Sequence, residues 1–216
     1  MVFAWQLTHA TVGGVPVIFL PTSPSLVPEL GRGDSDSADL LSAARTLIDD
    51  LRAQHPVASI SLLGSVDSRN CTEHTGSFRA WGAPDVTVGE GNYLAELVQR
   101  YVLRDCDLPI RTVESLTDTT DFVLCGLDGP AALSERAPLS LLPSAPARHQ
   151  WCTDLLAGEE VDWPADVAAL SADGIIEPEM WWLLKDIRPD GARVVRASDA
   201  HGVGRNVAEW EGWTPK

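Results

Sequence analysis

The sequence predicts a three-layer α/β fold, a central and mostly parallel sheet with helices on both faces, formed by residues 1–216 as a single domain. Three short apolar runs that read as buried strands carry this prediction, together with an amphipathic helix joining the first two. A run that is apolar at every position suits a strand covered on both faces, as parallel sheets require.

"VPVIFLP" is the first strand, ending near Leu20, with Pro16 near its start where a missing N–H is tolerated. "DSADLLSAARTLIDDLRAQ" follows as a helix. Its Leu40, Leu41, Ala44, Leu47, Ile48 and Leu51 fall on one face, Ser35 or Ser37 is the expected cap, and Pro56 ends it. "ASISLLG" is the second strand. The order strand, helix, strand implies a parallel pair joined by a right-handed crossover.

Further along, "PDVTV" reads as a short strand, "NYLAELVQRYVL" as a helix and "TDFVLCG" as the third buried strand. "ARHQWCTDLLAG" and "EPEMWWLLKDI" read as helices, the second with Pro178 in its first turn. "GVGRNVAEW" reads as a closing strand, antiparallel or at an edge. Residues 64–84 and 126–146 are the expected mobile loops. The ends of the buried strands bring "PTSPS", "GSVDSRN" and "GLDGPA" toward one place, the position where open α/β sheets bind ligands.

Composition narrows the function. The formal charge of −15 argues against a nucleic-acid partner, which needs clustered Lys and Arg. No apolar run is long enough to span a membrane, and "MVFAWQLTHATVGG" has neither the basic start nor the apolar core of a secretory leader. The four cysteines, Cys71, Cys106, Cys125 and Cys152, form no C-x-x-C pair, so packing thiols in a reduced, cytoplasmic protein are expected. Five of the eight tryptophans follow residue 160. These rings are expected mostly to pack the last helix onto the sheet; an exposed remainder would suit a homodimer or a partner protein.

Several motifs imitate function. Arg32-Gly33-Asp34-Ser35 precedes a helix, where its acid suits the helix dipole. Asp34 and Asp36 alternate as in a calcium loop, but Ala38 interrupts the pattern and no glycine or distal Glu fits. Ser65, Asp67 and His74 share one loop, yet "LLGSVDS" lacks the second glycine of a nucleophile elbow. The histidines are His9, His55, His74, His149 and His201, with no H-x-H or H-E-x-x-H spacing. His55 and His149 read as helix residues, while His74 and His201 lie in loops.

Four stretches in order, "VIFLPTSPSLVPELG", "HTGSFRAWGAPDVTVG", "DFVLCGLDGPAALSERAPLSL" and "HGVGRNVAEW", resemble the class III extradiol ring-cleaving dioxygenase superfamily of catalytic B-subunit type. Together they cover most of the chain. The resemblance implies a mostly parallel central sheet and, in active members, a non-haem Fe(II) held by two histidines and a carboxylate, with a further histidine as acid/base. Carried over residue by residue, the first ligand falls at Thr22 and the second near Ser65 or Asp67. The catalytic histidine falls at Ala131 beside a retained Asp128, and the late carboxylate near Asp199.

None of those positions holds a histidine. Hydroxyls are poor ligands beside imidazole, and Ala131 cannot move a proton. The reading that follows is a relative without the iron site and with no cofactor. It would bind a small molecule or partner in the ancestral pocket through Thr22, Ser65, Asp67, His74, Asp128 and His201. The alternative is an active non-haem metal-dependent dioxygenase, its Fe(II) held by His74 and Asp67 with His201 or Asp199. A Ser65 hydrolase is a third.

Overall fold

The computed structural model describes residues 14–118 and 122–215. Residues 1–13, on which the reading of no secretory leader rests, and His9 among them therefore lie outside the described residues. The first apolar run becomes β1 (Val17–Leu20), the second β2 (Ile60–Leu63) and the third β6 (Phe122–Gly126), each buried at every position.

Between β1 and β2 runs the expected helix, α1 (Ser35–Gln54), and all six of its predicted face residues are buried. Its cap is Asp34 rather than a serine: the Ser37 amide donates to Asp34 Oδ1 at 3.1 Å. A carboxylate there meets both the free amides and the positive end of the helix dipole. His55 follows as the C-cap, and Pro56 prevents continuation.

The α/β class is as predicted, and the strand order is β5-β2-β6-β1-β8-β7. Here β5 is Ile110–Thr112, β7 is Ile187–Ser198 and β8 is Arg205–Pro215. β5, β2, β6 and β1 are mutually parallel; β8 runs antiparallel to β1, and β7 antiparallel to β8. One expectation is corrected here. β1 and β2 are not paired with each other, because β6 lies between them and pairs in parallel with both. The central position suits β6, which is apolar on both faces and ends in a glycine.

The "PDVTV" run is a strand as read: it is β4 (Ala83–Thr87), which lies outside the main sheet and pairs antiparallel with β3 (Ser77–Phe78) in a two-stranded ribbon. The closing strand is antiparallel as expected, but β7 rather than β8 takes the edge.

Successive residues of β1 enter two separate apolar clusters. Ile18 and Leu20 pack with α1 and with α2 (Leu94–Val102). Val17 and Phe19 pack with α3 (Ala145–Leu156), α4 (Val167–Ala172) and α5 (Pro178–Trp182). Pro178 sits in the first turn of α5 as predicted, although that helix is only five residues long. The late tryptophans mostly build the second cluster: Trp181 and Trp210 are buried in it, and Trp163, Trp182 and Trp213 pack against it. Cys125 and Cys152 are buried free thiols, which burial pushes well above the ordinary thiol range, while Cys71 is exposed.

Candidate functional site

The loops after β1 and β6 meet, as the strand ends implied. β1 continues into Thr22, which is 4% exposed, and β6 continues through Leu127, whose amide donates to the Leu20 carbonyl at 2.9 Å. That register brings Asp128 beside Thr22. The Thr22 amide donates to Asp128 Oδ2 at 3.0 Å and the Thr22 hydroxyl donates to the same oxygen at 2.5 Å.

Asp128 Oδ1 is buried without a hydrogen-bond partner among the described residues. Burial pushes the Asp128 carboxyl up to about 6; the Thr22 hydrogen bonds oppose the rise, and the nearby Glu177 adds to it. The Trp181 indole donates to the Asp128 carbonyl at 2.8 Å, fixing this loop against α5.

The chain leaves β1 toward α1 and β6 toward α3, and these two helices belong to different apolar clusters. Such a divergence opens a crevice at the carboxyl ends of the strands. Here Thr22 and Asp128 close it. The open space lies one strand further along, beyond β2 and β5, as a cleft of about 1020 Å³.

Ser65 and Asp67 line that cleft from the end of β2, Val113 and Glu114 from the end of β5, Ile175 and Ile176 from the segment before α5, and Pro178, Glu179 and Met180 from α5. Val66 is 71% exposed, and Leu139, Ile176 and Leu183 are exposed too; all four line the cleft. The Asp67 amide donates to Ser65 Oγ at 3.2 Å. The Asp67 carboxylate accepts from the Arg69 guanidinium and, at 2.9 Å, from the Arg69 amide. These bonds hold Asp67 below the usual carboxylate range. Asn70 Nδ2 donates to Glu177 Oε1 at 3.0 Å, linking the β2 loop to the opposite wall.

The remaining predicted residues stand apart from this cleft. His74 is exposed in the loop before β3, where its amide donates to Thr72 Oγ1 at 3.1 Å. His201 is exposed at a positive φ of 61° after β7, with Nε2 3.5 Å from Asp34 Oδ1 at the start of α1. Asp199 is exposed, and Ala131 is 3% exposed with its amide donating to the Gly174 carbonyl. So Thr22 meets Asp128, and Ser65 meets Asp67, but these six positions do not form one pocket lining.

An Fe(II) site does not fit these residues. Among the described residues there is no group of three or more His, Cys, Asp or Glu side chains that could hold a metal, so Asp67, His74, His201 and Asp199 do not converge. Asp67 is committed to Arg69 instead. Likewise the Ser65 hydroxyl accepts the Asp67 amide and has no histidine in its hydrogen-bonding shell among the described residues.

Sequence reasoning missed the second wall of the cleft, Ile175 to Leu183, and the role of Arg69. From Glu177 onward the first was read only as part of a helix, and Ile175 and Ile176 were left without a reading. The Asp67–Arg69 spacing of two was a readable signal for a tight side-chain-to-backbone turn.

The fold and cleft define a mostly parallel α/β protein with an open, largely apolar site at its strand ends. No known protein family matches the chain, and no characterised protein matches its sequence. Among the described residues, no helix is long and apolar enough to cross a membrane.

Proposed function

We propose that the protein binds a small, predominantly apolar molecule in the cleft beyond β2 and β5, on a three-layer, extradiol-dioxygenase-like fold that has lost the iron chemistry of that superfamily. The observation that carries the reading is the cleft itself. Among the described residues six large apolar side chains stand exposed, and four of them, Val66, Leu139, Ile176 and Leu183, line one concave space of about 1020 Å³. Exposed apolar side chains gathered in a concavity favour a ligand, because filling it removes their surface from water at about 25 cal/mol per Å².

Two features support the dioxygenase-like part of the reading. The alternating burial of β1 into two helix-covered clusters is what a three-layer fold requires. The strand-end loops that the resemblance singled out, at Thr22 and Asp128, also meet each other. Thr22 and Asp128 then act as a structural closure, and ligand binding moves to the cleft that Ser65 and Asp67 line.

The test is fluorescence titration with Nile red, a neutral apolar dye, beside iron analysis after anaerobic incubation with Fe(II) and desalting. Saturable dye binding that weakens in Val66→Asp and Leu183→Asp is expected, with no retained stoichiometric iron. Both substituted side chains are exposed, so the variants should fold. Dye binding unchanged by both substitutions would overturn the site; stoichiometric iron would overturn the loss of the metal.

A further inference from the structure

A second hollow, of about 130 Å³, lies at the end of β2 on the α2 side of the sheet. Gly64, Ser65, Val66 and Val113 line both this hollow and the large cleft, while Tyr93, Glu96, Gln99 and Thr112 belong to the hollow alone.

Gln99 is its unusual member. It is fully buried in the middle of α2, among the buried Leu94, Ala95, Leu97, Val98, Tyr101 and Val102. Its amide nitrogen donates twice, to the Leu63 carbonyl at 2.9 Å and the Leu124 carbonyl at 2.8 Å. Two carbonyl acceptors fix the orientation of the amide, because only the NH₂ end can donate. The other end, Oε1, is buried with no hydrogen-bond partner among the described residues.

An unpaired amide oxygen in a core carries the full cost of its desolvation, so its partner should be sought in the adjoining space. Position 64 leaves the approach clear: a Cβ there would lie 3.1 Å from Gln99 Oε1 and 2.9 Å from the Ala95 Cβ.

The other lining groups share one chemical preference. Ser65, Thr112 and Tyr93 offer hydroxyls that accept as well as donate, Tyr93 adds an aromatic face, and Glu96 adds a carboxylate. Glu96 is held by Arg100 at 2.9 Å, and Arg100 is also bound to Glu90 at 3.0 Å. The group of three therefore keeps one net negative charge, which offsets the positive end of α2. Oε1 demands a donor, and the carboxylate and ring favour a cation.

We infer that this hollow is a subsite for a small primary ammonium group, with Gln99 Oε1 as acceptor, Glu96 as counter-charge and the Tyr93 ring as a cation-binding face. Its volume equals that of about four liquid water molecules, which suits an ammonium on a short alkyl chain. The subsite does not depend on the apolar cleft being occupied, although a ligand carrying both an amine and an apolar body could use both.

The experiment measures binding of n-butylammonium, n-butanol and n-butyrate to the full chain by isothermal titration and ligand-observed NMR. Butylammonium should saturate and bind at least about tenfold more tightly than the alcohol or the carboxylate. Glu96→Gln and Tyr93→Leu should each weaken it severalfold, and Gln99→Met should abolish it. Gln99→Met also removes two buried hydrogen bonds, so if it does not fold, the Glu96 and Tyr93 variants decide. Equal binding of all three probes, unaltered butylammonium binding in both of those variants, or no saturable binding would each overturn the subsite. In the last case the hollow holds ordered water only. Nile red binding to the Glu96→Gln variant reports the apolar cleft separately, since Glu96 does not line it.

Discussion

Thr22 and Asp128 stand 106 residues apart in the chain, yet both the amide and the hydroxyl of Thr22 donate to one oxygen of Asp128, at 3.0 and 2.5 Å. The other carboxylate oxygen is buried and unpaired among the described residues. The pairing joins the loops after β1 and β6, closes the crevice between these strands, and leaves the carboxyl poorly solvated.

This carboxyl makes stability depend on pH in a direction opposite to that of most acids. Its folded-state value is pushed from 3.8 up to about 6, chiefly by burial. Between those two values the folded state holds the proton more tightly than the unfolded chain, so stability falls as pH rises, and above about 6 the whole cost is present. Asp128→Asn carries no charge, and its amide oxygen can still accept from Thr22. The unfolding free energy of the variant relative to the parent should therefore rise by about 1–3 kcal/mol between pH 4 and pH 7. Urea titrations at the two pH values measure it; an unchanged difference would contradict a carboxyl desolvated by this packing.

Gly126 predicts a steric effect at the same junction. It ends β6, and a Cβ on it would collide with the Thr22 Cγ2 methyl and lie 3.4 Å from Gln99 Nε2. Both neighbours are buried and hydrogen-bonded, so neither can yield cheaply. Gly126→Ala should lower stability by about 1–3 kcal/mol, the usual cost of overpacking. Thr22→Ser, which deletes that methyl and keeps the hydroxyl, should recover part of the loss in the double variant. Additive costs in denaturant unfolding would place the strain elsewhere.

The frame of this site was legible because parallel strands buried on both faces write unbroken apolar runs, as in "VIFL", "ISLL" and "FVLCG". α1 was legible through its helical period. What sequence order did not encode was spatial order: β6 enters between β1 and β2, and nothing in those runs distinguishes a neighbour from a strand one place away. β7 was missed because "IRPDGARVVRAS" is an edge strand containing Pro189 and Gly191, with register shifts and only partial burial. β5 is three residues long, and α4 only six. At the site, strand ends alone pointed to the loops that hold Thr22, Ser65 and Asp128, but not to which side chains would bond within them. Gln99 was invisible because it sits among the apolar residues of a helix stripe, where its amide has no sequence signature.

Arg205 predicts the cost of removing a buried cation. It is 2% exposed in β8, and its Nη1 donates to Ser25 Oγ at 3.1 Å and to Ser37 Oγ, and lies 3.5 Å from Asp34 Oδ2. One side chain thus joins the loop after β1, the start of α1 and the last strand. Arg205→Met should destabilise by about 1–3 kcal/mol, because the Asp34 charge loses its nearest guanidinium and keeps only the Ser37 hydrogen bonds and the exposed His201. Adding Asp34→Asn removes the charge that Arg205 faces, so the double variant should be less destabilised than the sum of the two single changes. Strict additivity in thermal unfolding would show that the two groups do not interact.

Trp181 connects this closure to the cleft. Its ring is 1% exposed in the second cluster, its indole N–H donates to the Asp128 carbonyl at 2.8 Å, and its neighbours Met180 and Leu183 line the cleft wall. Trp181→Phe keeps an aromatic ring but leaves the Asp128 carbonyl without this donor, which should cost about 1–3 kcal/mol of stability. Because the lost bond anchors the α5 segment to the β6 loop, the cleft wall should also loosen, and Nile red should bind more weakly than to the parent protein. A loss of stability with unchanged dye affinity would confine Trp181 to the core; weakening of both would show that the closure at Asp128 shapes the cleft beside it.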